Sequence, residues 1–476
     1  MKQFWILLLS LLICRCTSDY LKENKLVNLV QNKDNTIISV PFGMVQVHPL
    51  KKLSGNALYF RGLGNIPEIV SETDLIVVPV IYNFSAGKGN AALPEYSIID
   101  EKREYETCTP GYYSLYMDNS RIKSEVTATA RTAFYRFTFP KDTFATVVLK
   151  FSNRITSDDN NPEITYNCVN NSLVTGLCIF KDNPVRQLFF AAQFSKPFRK
   201  SGFNEDGEIT AQASSYTSIG YSIAILTFST RYENIFKIKI GFSTASPDGA
   251  IENMKKEITG WTFENYRSDA EMRWENLLGK ISVETLNTKF RSDFYTRLFE
   301  CLHSPVLLSD YYFQYLSNDG NVNKSEGFSF FETKTSITDI NEVMLLNILQ
   351  PDEIKDFKLS AGEPEPVLHD SLPVFIVSYL LKDSIINESP ASSAMMVLHA
   401  AGLNPVTSHG LLFKFTRPLT SRISFHLKSG KTMIIVCKNP AEKNGVIKKA
   451  TLNGIELATP ELSLKQFFEG GTLEIY

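Results

Sequence analysis

Eight short apolar segments follow one another between residues 75 and 242: LIVVPVIY, YYSLYM, RTAFYRFTF, FATVVLKF, SLVTGLCIF, QLFFAAQF, GYSIAILTF and IFKIKIGF. Each is rich in aromatic and β-branched residues and is bounded by Asn, Asp, Gly or Pro. Such runs, broken by turn residues, fit antiparallel strands, and this many in series bury their apolar faces by packing as two sheets. The strand-rich region is therefore read as an antiparallel β-sandwich of more than eight strands. The stretch SVPFGMVQVHP, residues 39–49, lies before these segments. Its Pro and Gly predict one bend, and the alternation Val45, Gln46, Val47 predicts entry into a half-buried strand.

The periodicity then changes. Residues 248–280 carry helix formers and charges on a helical period, and the segment from 287 places Phe290, Phe294, Leu298, Cys301 and Leu302 on one face. Further helices are predicted at 340–349, 351–359, 371–382 and 391–401. Strands return in RISFHLKSGKTMIIVCK, VIKKATLNGIELA and GTLEIY, which are expected to pack beside the helices.

The totals exclude several function classes. With 49 Lys and Arg against 51 Asp and Glu the formal charge is -2, so no global field favours nucleic acid or an anionic membrane. The local basic group Lys196, Arg199 and Lys200 reads as a solvated loop. Residues 1–18, MKQFWILLLSLLICRCTS, have a cationic start, an apolar core and small residues before Asp19, the pattern of an export signal too short to span a bilayer. Lipidation at Cys14 or Cys16 is the alternative, disfavoured by the bulky Ile13 and Arg15. No later apolar run reaches membrane-spanning length. Cys108, Cys168, Cys178, Cys301 and Cys437 remain after cleavage, an odd and sparse set that reads as buried thiols. If Asn170-Asn171 is a hairpin turn, Cys168 and Cys178 do not face each other.

Four segments together resemble glycoside hydrolase family 92, secreted calcium-dependent exo-α-mannosidases with an N-terminal β-sandwich and an α/α-barrel catalytic domain. They are VPFGMVQVHP; residues 109–140, TPGYYSLYMDNSRIKSEVTATARTAFYRFTFP; residues 294–310 with 328–354; and residues 400–476, containing AAGLNPV, SGKTMIIVCKN, ATLNG and GGTLEIY. The resemblance implies an α+β multidomain fold: an antiparallel β-sandwich, a truncated α/α-barrel-like helical region and C-terminal β-strands. The expected divisions are a signal at 1–18, sandwich at 19–246, helical linker at 247–282, partial helical domain at 283–404 and strands at 405–476.

The family's reaction is inverting. It needs an acid on the leaving oxygen and a carboxylate activating water, about 6.5–9.5 Å apart, with calcium taking oxygens from carboxylates, amides and sugar. By resemblance, Phe331 and Glu332 occupy the substrate-binding Trp-Asp positions of a Trp-Asp-Thr stretch that ends in Arg. Glu365 is the nearest counterpart of a carboxylate beside calcium, and Glu388 that of the general base. No counterpart of the Glu-Gly-Asn stretch bearing the acid is found. On their residues alone, Glu388 reads as a first-turn helix acid, Glu332 as an acid near a helix start, and Glu363, Glu365, His369 and Asp370 as a stiff proline-bearing loop. The six histidines have no metal spacing, and His399, on an apolar helix, is expected to be packed.

Length points the same way. Twelve barrel helices with connections need roughly 190 residues, whereas fewer lie between Lys280 and Asn404, and only 55 between Glu332 and Glu388. Residues 31–38, QNKDNTII, and 61–70, RGLGNIPEIV, contain no histidine where the resemblance implies histidine-bearing loops. The reading is an exported α-mannosidase-like protein without hydrolytic activity, its calcium lost, with a carbohydrate-binding or structural role. Mannose-containing glycan and a second subunit are the expected partners. The alternative is an active, shortened, calcium-assisted α-mannosidase.

Overall fold

Aromatic and β-branched runs form two antiparallel sheets in the computed structural model, which describes residues 25–30, 37–50, 59–62, 74–82, 105–118, 120–152, 162–180, 186–205, 208–211, 214–219, 222–317, 319–332, 340–360, 392–406, 412–438 and 447–476. The strands are β1 (Val47–Leu50), β2 (Tyr59–Gly62), β3 (Asp74–Ile81), β4 (Glu106–Thr109), β5 (Tyr112–Met117), β6 (Ile122–Ala128), β7 (Thr132–Thr138) and β8 (Phe144–Ser152). They continue with β9 (Glu163–Asn170), β10 (Leu173–Phe180), β11 (Arg186–Phe194), β12 (Lys200–Glu205), β13 (Glu208–Ala211), β14 (Ser215–Ile219), β15 (Ile223–Ser229) and β16 (Ile235–Ser243). One sheet runs β1-β2-β3-β8-β15-β12-β13 and the other β14-β9-β10-β11-β16-β7-β6-β5-β4. Cys168 and Cys178 pair with Val174 and Ile164 across β9 and β10, and no disulfide joins them, as the spacing predicted.

Rings from the two sheets interdigitate. Phe151 of β8 meets Phe190 of β11 at 5.6 Å between centroids, and Tyr166 of β9 stacks on Phe203 of β12 at 6.0 Å. All four are at most 1% exposed, and each such burial contributes about 1.5–3 kcal/mol. The Tyr166 hydroxyl is within donating distance of the carbonyls of Leu149 and Ser222, so the polar atom among these four rings is satisfied.

Two helices cover the outer face of the nine-stranded sheet. Ser246 caps α1 (Pro247–Glu257), with Pro247 in the first turn where its missing N–H costs nothing. The helix lies so close to β16 that a Cβ on Gly241 would meet the Ala250 carbonyl oxygen at 2.3 Å. Helix α2 (Phe263–Leu278) runs over β5 and β6.

Helix α2 leads into β17 (Ile281–Glu284), then α3 (Thr288–Cys301), which buries Phe294, Leu298, Cys301 and Leu302 with Phe290 half-buried, the expected face. A hairpin of β18 (Gln314–Leu316) and β19 (Val322–Lys324) follows, then α4 (Ile340–Leu349), α5 (Pro351–Ser360) and α6 (Ser393–Ala400). The C-terminal elements are β20 (Leu403–Val406), β21 (Leu412–Phe415), β22 (Arg422–His426), β23 (Thr432–Cys437), β24 (Ala450–Leu452), β25 (Ile455–Glu456), β26 (Glu461–Ser463), α7 (Leu464–Glu469) and β27 (Gly471–Ile475). Strand β17 pairs with β22, which ties the helical region into the C-terminal sheet β17-β22-β23-β27-β24-β25. The predicted helix at 371–382 lies outside the described residues.

The bend at residues 39–49 sits where sandwich and helices meet. Phe42 turns the chain at φ +57°; its N–H donates to the Leu302 carbonyl and its carbonyl accepts from Leu307. Trp274 of α2, fully buried, donates its indole N–H to the Ser39 carbonyl at 2.7 Å. The half-buried strand expected at Val45-Gln46-Val47 is not what forms. Gln46 is 3% exposed, because its amide crosses the seam to donate to the His303 carbonyl, and the strand begins only at Val47.

Candidate functional site in the seam and the helical cleft

The sequence-predicted site residues fall into two groups. Glu365 and Glu388 lie outside the described residues, as do Glu363, His369 and Asp370. Phe331 and Glu332 are buried in the seam, 4% and 5% exposed. Phe331 forms an isolated β-bridge with Leu307, and the Glu332 N–H donates to the Val306 carbonyl at 2.9 Å. Leu307 in turn reaches Phe42, so the stretch 306–309 is sandwiched between the bend and residues 330–332. Glu332 is thus held by this ribbon and does not stand in the first turn of α4, which begins at Ile340.

Beside the ribbon is a carboxylate that the sequence did not single out. Asp310 is 2% exposed; it accepts from the Ser243 hydroxyl and from the Asn253 amide, each at 2.8 Å. Burial pushes its carboxyl up to about 6, against the pull of those two donors and of Arg131. Near-neutral titration suits a general acid, but here both oxygens are engaged, and Gly249 lies so close that a Cβ there would stand 2.1 Å from Oδ2. Asp310 is a clamp joining β16, α1 and the ribbon. Its signal in sequence was weak, because its partners lie 57 and 67 residues away.

A second buried charge system holds α2 on the sandwich. Glu125, 3% exposed, accepts from Tyr112 and twice from Arg136, all at 2.8 Å, and Arg136 also pairs with Glu264. Despite burial, the guanidinium and the phenol hold the Glu125 carboxyl below its usual value.

A cleft of about 660 Å³ runs between α3 and α6. Its walls carry Asp293, Arg297 and Glu300 from α3, Met396 and His399 from α6, and Leu419. His399, expected to be packed, is exposed here: α6 is apolar on most sides, but only the face with Ala394, Val397, Leu398 and Ala400 meets neighbours. Glu300 accepts from Arg297 of its own helix at 3.0 Å and from Ser393 of α6 at 2.6 Å, so it is committed to a hydrogen bond joining the two helices. Asp293 lies two turns away along the helix, about 10.5 Å by rise.

Calcium implied by the resemblance takes six to eight oxygens. Among the described residues no three His, Cys, Asp or Glu side chains stand together as a metal group, the Asp310 oxygens are taken by Ser243 and Asn253, and Glu365 lies outside them. The described residues do not fit the ion, and no step is drawn through it.

A sandwich locked to a helical layer through one continuous core, with C-terminal strands sharing a sheet with that layer, is an architecture found among solved structures. A family GH92 alpha-mannosidase of Bacteroides thetaiotaomicron has the same fold, with a TM-score of 0.76, 15% identity, and 95% of this chain and 94% of that chain covered. The family GH92 inverting mannosidase of the same organism gives a TM-score of 0.72 at 14% identity, covering 95% and 96%. An uncharacterized secreted glycosidase of Arthroderma benhamiae is 35% identical over 71 residues, 14% of this chain and 9% of that protein. Residues 69–243 match the glycosyl hydrolase family 92 N-terminal domain, and residues 249–362 and 388–476 match that family's catalytic domain. The chain belongs to glycosyl hydrolase family 92.

Proposed function

We propose that this chain is an exported, non-hydrolysing member of the family that binds mannose-containing glycan. The observation that carries the reading is the burial of Phe331 and Glu332. The positions that by resemblance face substrate are occupied by side chains inside the seam, at 4% and 5% exposure, and the Glu332 amide is committed to Val306. The changes from indole to phenyl, Asp to Glu and Arg to Thr at 331–335, no counterpart of the acid, and a single carboxylate at Glu388 agree with it. Fold alone does not supply missing groups. Export rests on residues 1–18, and the secreted relative supports it; no described helix is long and apolar enough to cross a membrane. The test is release of aryl leaving group from an α-mannoside in calcium buffer. No turnover above blank is expected; saturable turnover abolished by Glu388→Gln overturns the reading.

A further inference from the structure

Directly after the Asp310 clamp two tyrosines turn outward, Tyr311 44% and Tyr312 47% exposed. The turn beneath them is fixed. The Tyr311 N–H donates to Asn253 Oδ1 at 2.7 Å, Phe313 closes the turn onto the Asp310 carbonyl at φ +68°, and the Asp310 N–H donates to Gln314. Tyr315, in β18, is stacked on Phe330 at 3.6 Å. The two outward rings stand at 84° with centroids 5.4 Å apart, and the Lys256 ammonium lies 5.6 Å from the Tyr312 centroid.

We propose that this corner is a carbohydrate platform that takes a neutral pyranose of an α-mannan-type glycan. Tyrosine offers an apolar face for the C–H side of a sugar ring and a hydroxyl for its oxygens, at low entropic cost because few torsions are frozen. The buried clamp presets both rings, which lowers the ordering cost of binding. Lys256 adds a donor at the rim. Size selects the ligand class: two half-exposed rings offer roughly 200 Å², against about 800 Å² per partner for a stable protein interface. One or two sugar rings fit that footprint. The platform's residues are not among those lining the α3–α6 cleft, and it deepens the glycan-binding reading on which it rests.

The test is calorimetric titration of the full exported chain with α-1,2-linked mannotriose. Saturable heat is expected from the unaltered protein, with affinity weakened by at least about tenfold in Y311A/Y312A and within about threefold in the ring-preserving Y311F/Y312F. Thermal midpoints report that both variants fold. Equal binding by the alanine pair overturns the platform while leaving the glycan-binding reading in place, and equal loss in the phenylalanine pair refutes stacking. Absence of binding by the unaltered protein overturns both. Cleavage of the trisaccharide overturns only the non-hydrolysing reading, since the alanine comparison still decides the platform.

Discussion

Acidification probes the seam through His303, which follows α3 and packs its ring against Trp274 at 5.2 Å and Phe299 at 4.4 Å. Burial pulls its pKa from 6.5 to about 4; the carbonyls of Glu300 and Phe299 oppose the fall and His48 reinforces it. A base with a depressed folded pKa favours the neutral native state, so its contribution is present above pH 6.5 and is lost as pH falls toward 4. Between pH 7 and 5 the loss is about 2 kcal/mol, from 1.5 pH units at 1.36 kcal/mol each. Asp310 acts with the opposite sign. Its folded pKa is raised from 3.8 to about 6, so its ionisation weakens the fold above pH 6 and the penalty is relieved as pH falls, by about 1 kcal/mol at pH 5. These two groups oppose each other in the unaltered chain and largely cancel. His303→Phe removes one side of the balance, and the variant is expected to gain about 1 kcal/mol between pH 7 and 5. Urea unfolding followed by tryptophan fluorescence at both pH values reads the difference as a shift in midpoint. Parallel behaviour of variant and parent over that window refutes the assignment of His303.

Two further changes test the packing. Glu125→Gln and Arg136→Met should each cost about 3 kcal/mol in urea unfolding, and the double variant less than their sum by about 2 kcal/mol, because each single change strands a buried partner; simple additivity contradicts the coupling. Gly249→Ala, which in an ordinary helix stabilises by up to about 1 kcal/mol, should here destabilise by about 2 kcal/mol or more, since the new Cβ meets Asp310 Oδ2 at 2.1 Å and Ser243 Oγ at 2.7 Å. An unchanged melting temperature for that variant refutes the close approach.

Local pattern carried much of the fold into view. Strands such as β5 and β11 announce themselves by aromatic and β-branched runs, and α4 occupies the predicted 340–349 because its apolar run is bounded by a proline after Gln350. What escaped depends on distant partners. Strand β17 has four residues and is a strand only because β22 lies beside it. Gln46 looked like the solvent face of a strand until His303, 257 residues on, supplied an acceptor. Periodicity placed His399 on an apolar helix but could not say which face lacks a neighbour. Phe331 and Glu332 were named as substrate positions through the resemblance; their burial follows from Phe42 and residues 306–309, which no local window contains.

The central claim is that family fold and family chemistry have separated in this chain. Incubation of the purified protein with an aryl α-mannoside, with calcium and with chelator, tests it most directly. The account predicts product formation at the blank rate in both conditions; saturable, calcium-dependent release that disappears in Glu388→Gln would contradict it.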